Sequence, residues 1–249
     1  MCGRYGVRVN FKTLAKLLRA EPVTPEETGD EWGPDLNVAP TDPAPVLLPP
    51  LADGEPPRLE LFRWGLVPFW AKSPREGARM INARAETLGS KPAFREALAE
   101  RRLLVPASGW YEWTPAAPDS PDPKPDPHWI HPGEHGQDPG PEQLVLFGGL
   151  WARWKDPQSG ETRRTFSIVT TAAAESTRVL HDRMPLVLGP EAQAAWLDAR
   201  TPPDVIQGLL VPFPGRIAHR RVAKTVNSVR ADGPELIEPL PEPRQAKLL

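Results

Sequence analysis

Short apolar or alternating runs, broken by proline, glycine and charge, recur along this whole chain, and no regular strand–helix alternation connects them. That punctuation predicts one α+β domain built on a curved, barrel-like β-sheet with short flanking helices. Strands are expected over 3–9, 44–48, 58–63, 103–106, 110–114, 144–154, 165–171, 185–188 and 216–223. Helices are expected over 11–20, capped by Asn10, and over 91–102, 172–180, 191–199 and 203–210. The stretch 64–72, with Gly65, Pro68 and two tryptophans, reads as a structured loop. Residues 115–143 hold nine prolines and three glycines, a composition that resists helix and sheet interiors. They read as an acidic insertion loop, largely mobile, with at most a short strand around Trp129. The domain is expected over 1–239, with a frayed tail over 240–249.

At 39% hydrophobic, the 249 residues can bury a real core. No apolar run approaches the ~20 residues of a membrane span, and the N-terminus lacks a secretory layout, since Arg8, Lys12 and Lys16 interrupt its apolar residues. A single cysteine excludes an internal disulfide framework and a multi-cysteine metal site, and fits a reducing cytoplasm. The net charge of −2 conceals an uneven distribution. Removing two acidic segments, 21–36 at −6 and 115–143 at −5, leaves +9 on the remaining body. A polyanion partner needs such a basic face.

The lone cysteine stands at position 2. Cytosolic processing removes Met1 before a small residue, and the mature chain would then begin with a thiol and an α-amine on one residue. With a pKa of ~7.7–8.0, that amine is substantially neutral near pH 7–8. It can condense with an aldehyde to an imine, which the thiolate closes to a thiazolidine. The same residue could instead be an acyl-transfer nucleophile with its own amine as base. Three further segments are unusually polar for their surroundings: 80–87 around Asn82 and Arg84, 109–113 around Glu112, and 181–185 with His181 and Arg183. Strand alternation puts Glu112 on one face with Trp110, and Tyr111 with Trp113 on the other. Singly, Asn82 fits a turn, Glu112 a surface ion pair and His181 a helix C-terminal charge. With a terminal cysteine they form an acid–base set suited to nucleophilic chemistry.

Six blocks occur in order: Cys2-Gly3-Arg4-Tyr5, Asn37 to Thr41, Trp64 to Pro68, Asn82 to Thr87, Pro106 to Trp113 and His181 to Pro185. The chain closely resembles the SRAP family, the SOS response-associated peptidases or abasic-site processing proteins, from residue 2 to about 239. The resemblance implies a DNA-damage protein whose mature Cys2 crosslinks to abasic sites in single-stranded DNA through a thiazolidine, shielding the lesion. It implies that Asn82, Glu112 and His181 complete the catalytic set and that Arg4, Arg84 and Arg183 hold phosphates. Trp70 would stack on or wedge the DNA, with Ala71 where a second aromatic is common. Lyase-type chemistry, peptidase removal of Met1, a monomer, and a cytoplasmic or nucleoid-associated location follow from the same resemblance. No cofactor, metal or membrane partner is implied.

Three other readings compete. An N-terminal-nucleophile glutamine amidotransferase also begins Met-Cys-Gly, but its amide pocket uses an Asn-Gly pair, which this sequence lacks. A peptidase acting on other proteins and a non-catalytic single-strand-binding module are the others. His128, His131 and His135 have spacings that would align them on a helix, but Pro132 and Gly133 intervene, and exposed loop histidines are expected instead of a metal site.

Overall fold

In a computed structural model describing residues 2–23, 32–116 and 122–240, Cys2 leads directly into a short strand, β1 (Tyr5–Val7). Asn10 caps helix α1 (Phe11–Leu17), its side-chain oxygen accepting from the Thr13 N–H at 2.8 Å. This helix ends before residue 20 because Arg19 turns to φ 50° and the Ala20 N–H closes onto Ala15 O, a left-handed termination. Strands β2 (Glu21–Pro22), β3 (Asp35–Val38), β4 (Pro43–Leu48), β5 (Arg58–Trp64) and β6 (Asn82–Arg84) precede helix α2 (Pro92–Glu100). Then come β7 (Arg102–Ala107), β8 (Gly109–Thr114), β9 (Asp126–Pro132), β10 (Val145–Lys155) and β11 (Thr162–Ala172). The single-turn α3 (Glu175–Arg178), β12 (Arg183–Pro185), α4 (Pro190–Leu197), α5 (Pro203–Leu209) and β13 (Ile217–Arg221) complete the order.

Five of these strands close on themselves. β11 pairs antiparallel with β10, β10 with β7, β7 with β4 and β4 with β5. β5 then returns to β11 in parallel, Arg63 opposite Thr165 and Trp64 opposite Phe166. The barrel-like α+β core expected from the sequence is thus observed, and closure leaves these strands without free edges. Its filling is aromatic: the Tyr5 and Trp64 rings meet edge to face at 5.2 Å, and Trp64 stacks on Phe166 at 6.4 Å. Each such buried side chain contributes about 1.5–3 kcal/mol from apolar burial.

A second, antiparallel sheet runs β13-β9-β8-β1-β3 and carries the N-terminus. Tyr5, Trp110, Ile130 and Ile217 pack into the main core, whereas Tyr111 and Trp129 pack with Leu36, Val222, Val226, Leu236 and Ile237. Both faces are therefore buried. Gly109 is required where β8 passes β9, because a Cβ there would lie 2.4 Å from both Ile130 O and the Trp129 ring.

Strand β9 changes the reading of 115–143. Residues 126–132 form a seven-residue strand paired with β8 on one side and β13 on the other, with Trp129 1% exposed. This part of the segment is an interior strand, not an insertion loop. Its prolines lie near its ends, at 127 and 132, leaving 128–131 free to donate. His131 is buried rather than exposed, and His128 is half-buried. β3 and β6 are also absent from the sequence expectation. The acidic run 24–31, residues 117–121, Met1 and most of the tail, 241–249, lie outside the described residues. No described helix is long and apolar enough to cross a membrane.

Candidate active site

Cys2 is fully buried, 0% exposed. Arg4 O accepts from the Tyr111 N–H at 3.0 Å, extending the β1–β8 pairing back towards Cys2 past Glu112. The Cys2 thiol itself donates to Arg4 O at 3.7 Å. From the barrel side, β6 runs parallel to β11 with Asn82 opposite Ile168 and brings in its amide. Asn82 Nδ2 donates to Cys2 O at 2.7 Å. Asn82 Oδ1 is buried and lacks a hydrogen-bond partner among the described residues, which leaves an acceptor beside Cys2.

Glu112 comes from β8 and is 3% exposed, on the same face as Trp110, as alternation predicts. Burial pushes its carboxyl up to about 7. Burial, reinforced by the charge of Glu112, also holds the Cys2 thiol far above its ordinary value, so the two groups share one low-dielectric site. The thiol is protonated at neutral pH and needs a base before it can attack. Glu112 near 7 is poised to give or take a proton.

His181 follows α3. Its Nδ1 accepts from the Arg183 N–H at 2.9 Å and lies 2.7 Å from the exposed Asp182 carboxylate. A donor and an acceptor thus compete for one ring nitrogen, which allows either tautomer. Burial lowers the imidazole below its ordinary pKa.

The arginines divide. Arg84 is exposed at the end of β6, opposite Thr170. Arg183 is held beside it: Nη2 donates to Thr170 O at 2.6 Å, and Nη1 and Nη2 reach the two Glu86 oxygens at 2.6 and 3.0 Å. That fork holds Glu86 below the usual carboxylate range. Arg4 is engaged inside the fold, donating to Asn37 Oδ1 and to Val226 O. Asn37 in turn donates to Ser228 O and Ala231 O at 2.9 and 2.7 Å, so the pair fastens the C-terminal segment to β1 and β3.

Trp70 is 48% exposed and meets Phe69, 71% exposed, edge to face at 4.9 Å. The second aromatic therefore precedes the tryptophan, while Ala71 is buried and its carbonyl accepts from Trp154 Nε1 at 2.8 Å. Phe69 and Trp70 border a pocket of about 470 Å³ with Trp151, Arg101 and Arg153, which none of Cys2, Asn82, Glu112 and His181 lines. Cys2, Asn82 and Glu112 come together in the structure; Trp70 belongs to a separate pocket. Sequence reasoning missed Glu86 and Thr170, which hold Arg183, and Phe69. A carboxylate two residues after Arg84 and an aromatic beside Trp70 were the available signals.

Residues 1–229 match the family described as SOS response associated peptidase (SRAP). The abasic site processing protein YoqW of Bacillus subtilis is 36% identical over 240 residues, covering 96% of this chain and 99% of that protein. The abasic site processing protein HMCES of Gallus gallus is 31% identical, covering 96% of this chain and 78% of its own length. A crystal structure of a Bacteroides thetaiotaomicron protein superposes with a TM-score of 0.80 at 24% identity, covering 96% of this chain and all of that one.

Proposed function

We propose that this chain, which belongs to the SRAP family, processes abasic sites in single-stranded DNA by bonding to them through Cys2 once Met1 is removed. The observation that carries this reading is the convergence on Cys2 of an amide that grips its carbonyl and a buried carboxyl near neutrality. Family membership supports handling of abasic lesions; the covalent step follows from the chemistry of these groups.

An abasic sugar is mostly a closed hemiacetal. Protonated Glu112 would give its proton to the ring oxygen while the anomeric hydroxyl gives its own to solvent, and the ring opens to the aldehyde. The Cys2 α-amine, oriented by Asn82 Oδ1, adds to the carbonyl carbon and water leaves, forming an imine. The Cys2 thiol then loses its proton to a base, with Glu112 or His181 in that role, its sulfur adds to the imine carbon, and the imine nitrogen takes up the proton from that base. The product is a thiazolidine, formed with loss of one water. Arg84 and Arg183 would hold phosphates beside the lesion, and an unstacked strand would allow access to the sugar. The same groups would also serve removal of Met1 by the chain itself and strand cleavage by β-elimination.

Cys2→Ser tests the sequence of events. Serine permits the same processing, so the amine survives and still forms an imine. Without the thiol to capture it, the imine acidifies the adjacent carbon, and the 3′ phosphate can leave by β-elimination. The variant should give little heat-stable adduct, a borohydride-trappable one, and more strand cleavage than wild type. A stable adduct from the serine variant without reductant would show that the thiol is not the capturing group.

A further inference from the structure

Four of the five histidines in the chain gather in one place. His128, His131, His135 and His219 line a pocket of about 450 Å³ at the β9–β13 edge, together with Arg220 and Arg221, and no carboxylate among the described residues lines it. The His219 ring lies 5.8 Å from that of His128 and 5.9 Å from that of His135. His131 is internally satisfied through Nδ1 and Pro132 O at 3.0 Å. Two other donors are not. Arg220 Nε and His128 Nδ1 are buried without a hydrogen-bond partner among the described residues.

The protonation of His128 follows from its surroundings. Burial, with His219 and Arg221 adding to it against Asp126, lowers its pKa to about 4, so the ring is neutral at pH 7. Its Nε2 lies 3.1 Å from the Thr114 hydroxyl. When that hydroxyl donates, the ring proton sits on Nδ1, the unpartnered atom. The nearby carboxylates are already occupied. Asp126 pairs with Lys224 at 3.1 Å, and Asp138 with Arg8 at 2.6 Å. The pocket thus combines hydrogen-bond donors and arginine charge that no described residue lining it neutralises. No described group of histidine, cysteine and carboxylate suits a metal ion.

Its position is equally informative. Glu112 on β8 lies opposite His128 on β9, and His128 opposite Arg221 on β13, so the three side chains share one rung and one face. Alternation puts His219 on that face too and Arg220, opposite Trp129, on the other. At the usual strand spacing, Arg221 stands about 10 Å from the strand of Glu112.

We propose that this pocket is a phosphate-binding site, with Arg221, His128 and His219 as its donors. The phosphate is carried either by the backbone of a DNA strand leaving the Cys2–Glu112 site or by a free phosphomonoester. The first source rests on the function proposed above, and the second does not. A phosphate matches the site because its oxygens can accept from a guanidinium and two imidazoles at once.

The histidine ring resonances of the full-length protein test this directly. They are followed by NMR during titration with inorganic phosphate, and separately with an undamaged single-stranded oligonucleotide. His128 and His219 should shift saturably with phosphate, while His181, outside the pocket, stays in place. With the oligonucleotide, joint movement of His181, His128 and His219 identifies the DNA backbone as the source. Movement of His181 alone, after a positive phosphate titration, identifies a free phosphate compound and leaves the reading of Cys2 intact. Arg221→Met and His219→Gln should each weaken phosphate binding about tenfold or more without abolishing crosslinking at Cys2. If neither ligand moves His128 and His219 saturably, the proposal is overturned, whatever His181 does. Unchanged phosphate affinity in His219→Gln would overturn it even if Arg221→Met failed to fold.

Discussion

Glu112 ties stability and reactivity together at the scale of one residue. Its carboxyl titrates near 7 in the folded protein and near its ordinary value, about 4.3, in the unfolded chain. From about pH 4.5 to 7 the folded state holds a proton that the unfolded state has lost, so stability falls as pH rises through this window. Glu112→Gln is therefore expected to be more stable than wild type at pH 8, by on the order of 1–3 kcal/mol. The same variant should crosslink abasic DNA ~10²–10⁴-fold more slowly. The proposed crosslinking needs Glu112 protonated and the amine neutral, so its rate should peak near pH 7–8, whereas the variant's rate should rise steadily with pH. Equal losses of DNA affinity and rate would instead make Glu112 structural. Arg183 gives a second expectation: Glu86→Gln frees its guanidinium and should tighten binding to undamaged single strands, while Arg183→Ala weakens it. The meeting of Cys2, Asn82 and Glu112 was legible in the motif blocks, and strand alternation gave the face of Glu112. The internal engagement of Arg4 was not, because its partners lie 33 and 222 residues away.

Among the elements, β9 departs furthest from the sequence expectation. Counting prolines over 115–143 averages a proline-rich stretch with a strand whose prolines avoid its centre. Periodicity could not recover β3 or β6 either, since runs of four and three residues carry too few positions to display a period. The longer strands β4, β5, β10 and β11, and the Asn10-capped helix, were recoverable from local pattern. Barrel closure was not, since it depends on a parallel contact between β5 and β11 about a hundred residues apart. Trp129→Ala should lower unfolding stability in denaturant by ~3–5 kcal/mol, the usual range for a buried tryptophan. A mere loop residue would cost within ~0.5 kcal/mol. Deleting 118–140 removes β9 and should prevent folding, so that deletion cannot separate DNA binding from stability.

At the scale of the molecule, a net charge of −2 coexists with a body of +9 once two acidic segments are set aside. DNA affinity should consequently fall steeply with salt, and Arg84→Ala should reduce the slope of log K against log salt by about one. A slope unaffected by this substitution would remove Arg84 from the interface. The chemistry at Cys2 governs the rest of the account, and one measurement reaches it. The purified protein is mixed with a single-stranded oligonucleotide carrying one abasic site, and the denatured adduct is weighed by intact-mass spectrometry and mapped by peptide. The predicted mass is that of the chain lacking Met1 plus the oligonucleotide, less one water, with the bond on Cys2. An adduct of equal yield on protein retaining Met1, or one mapped to any other residue, would contradict the terminal aminothiol mechanism.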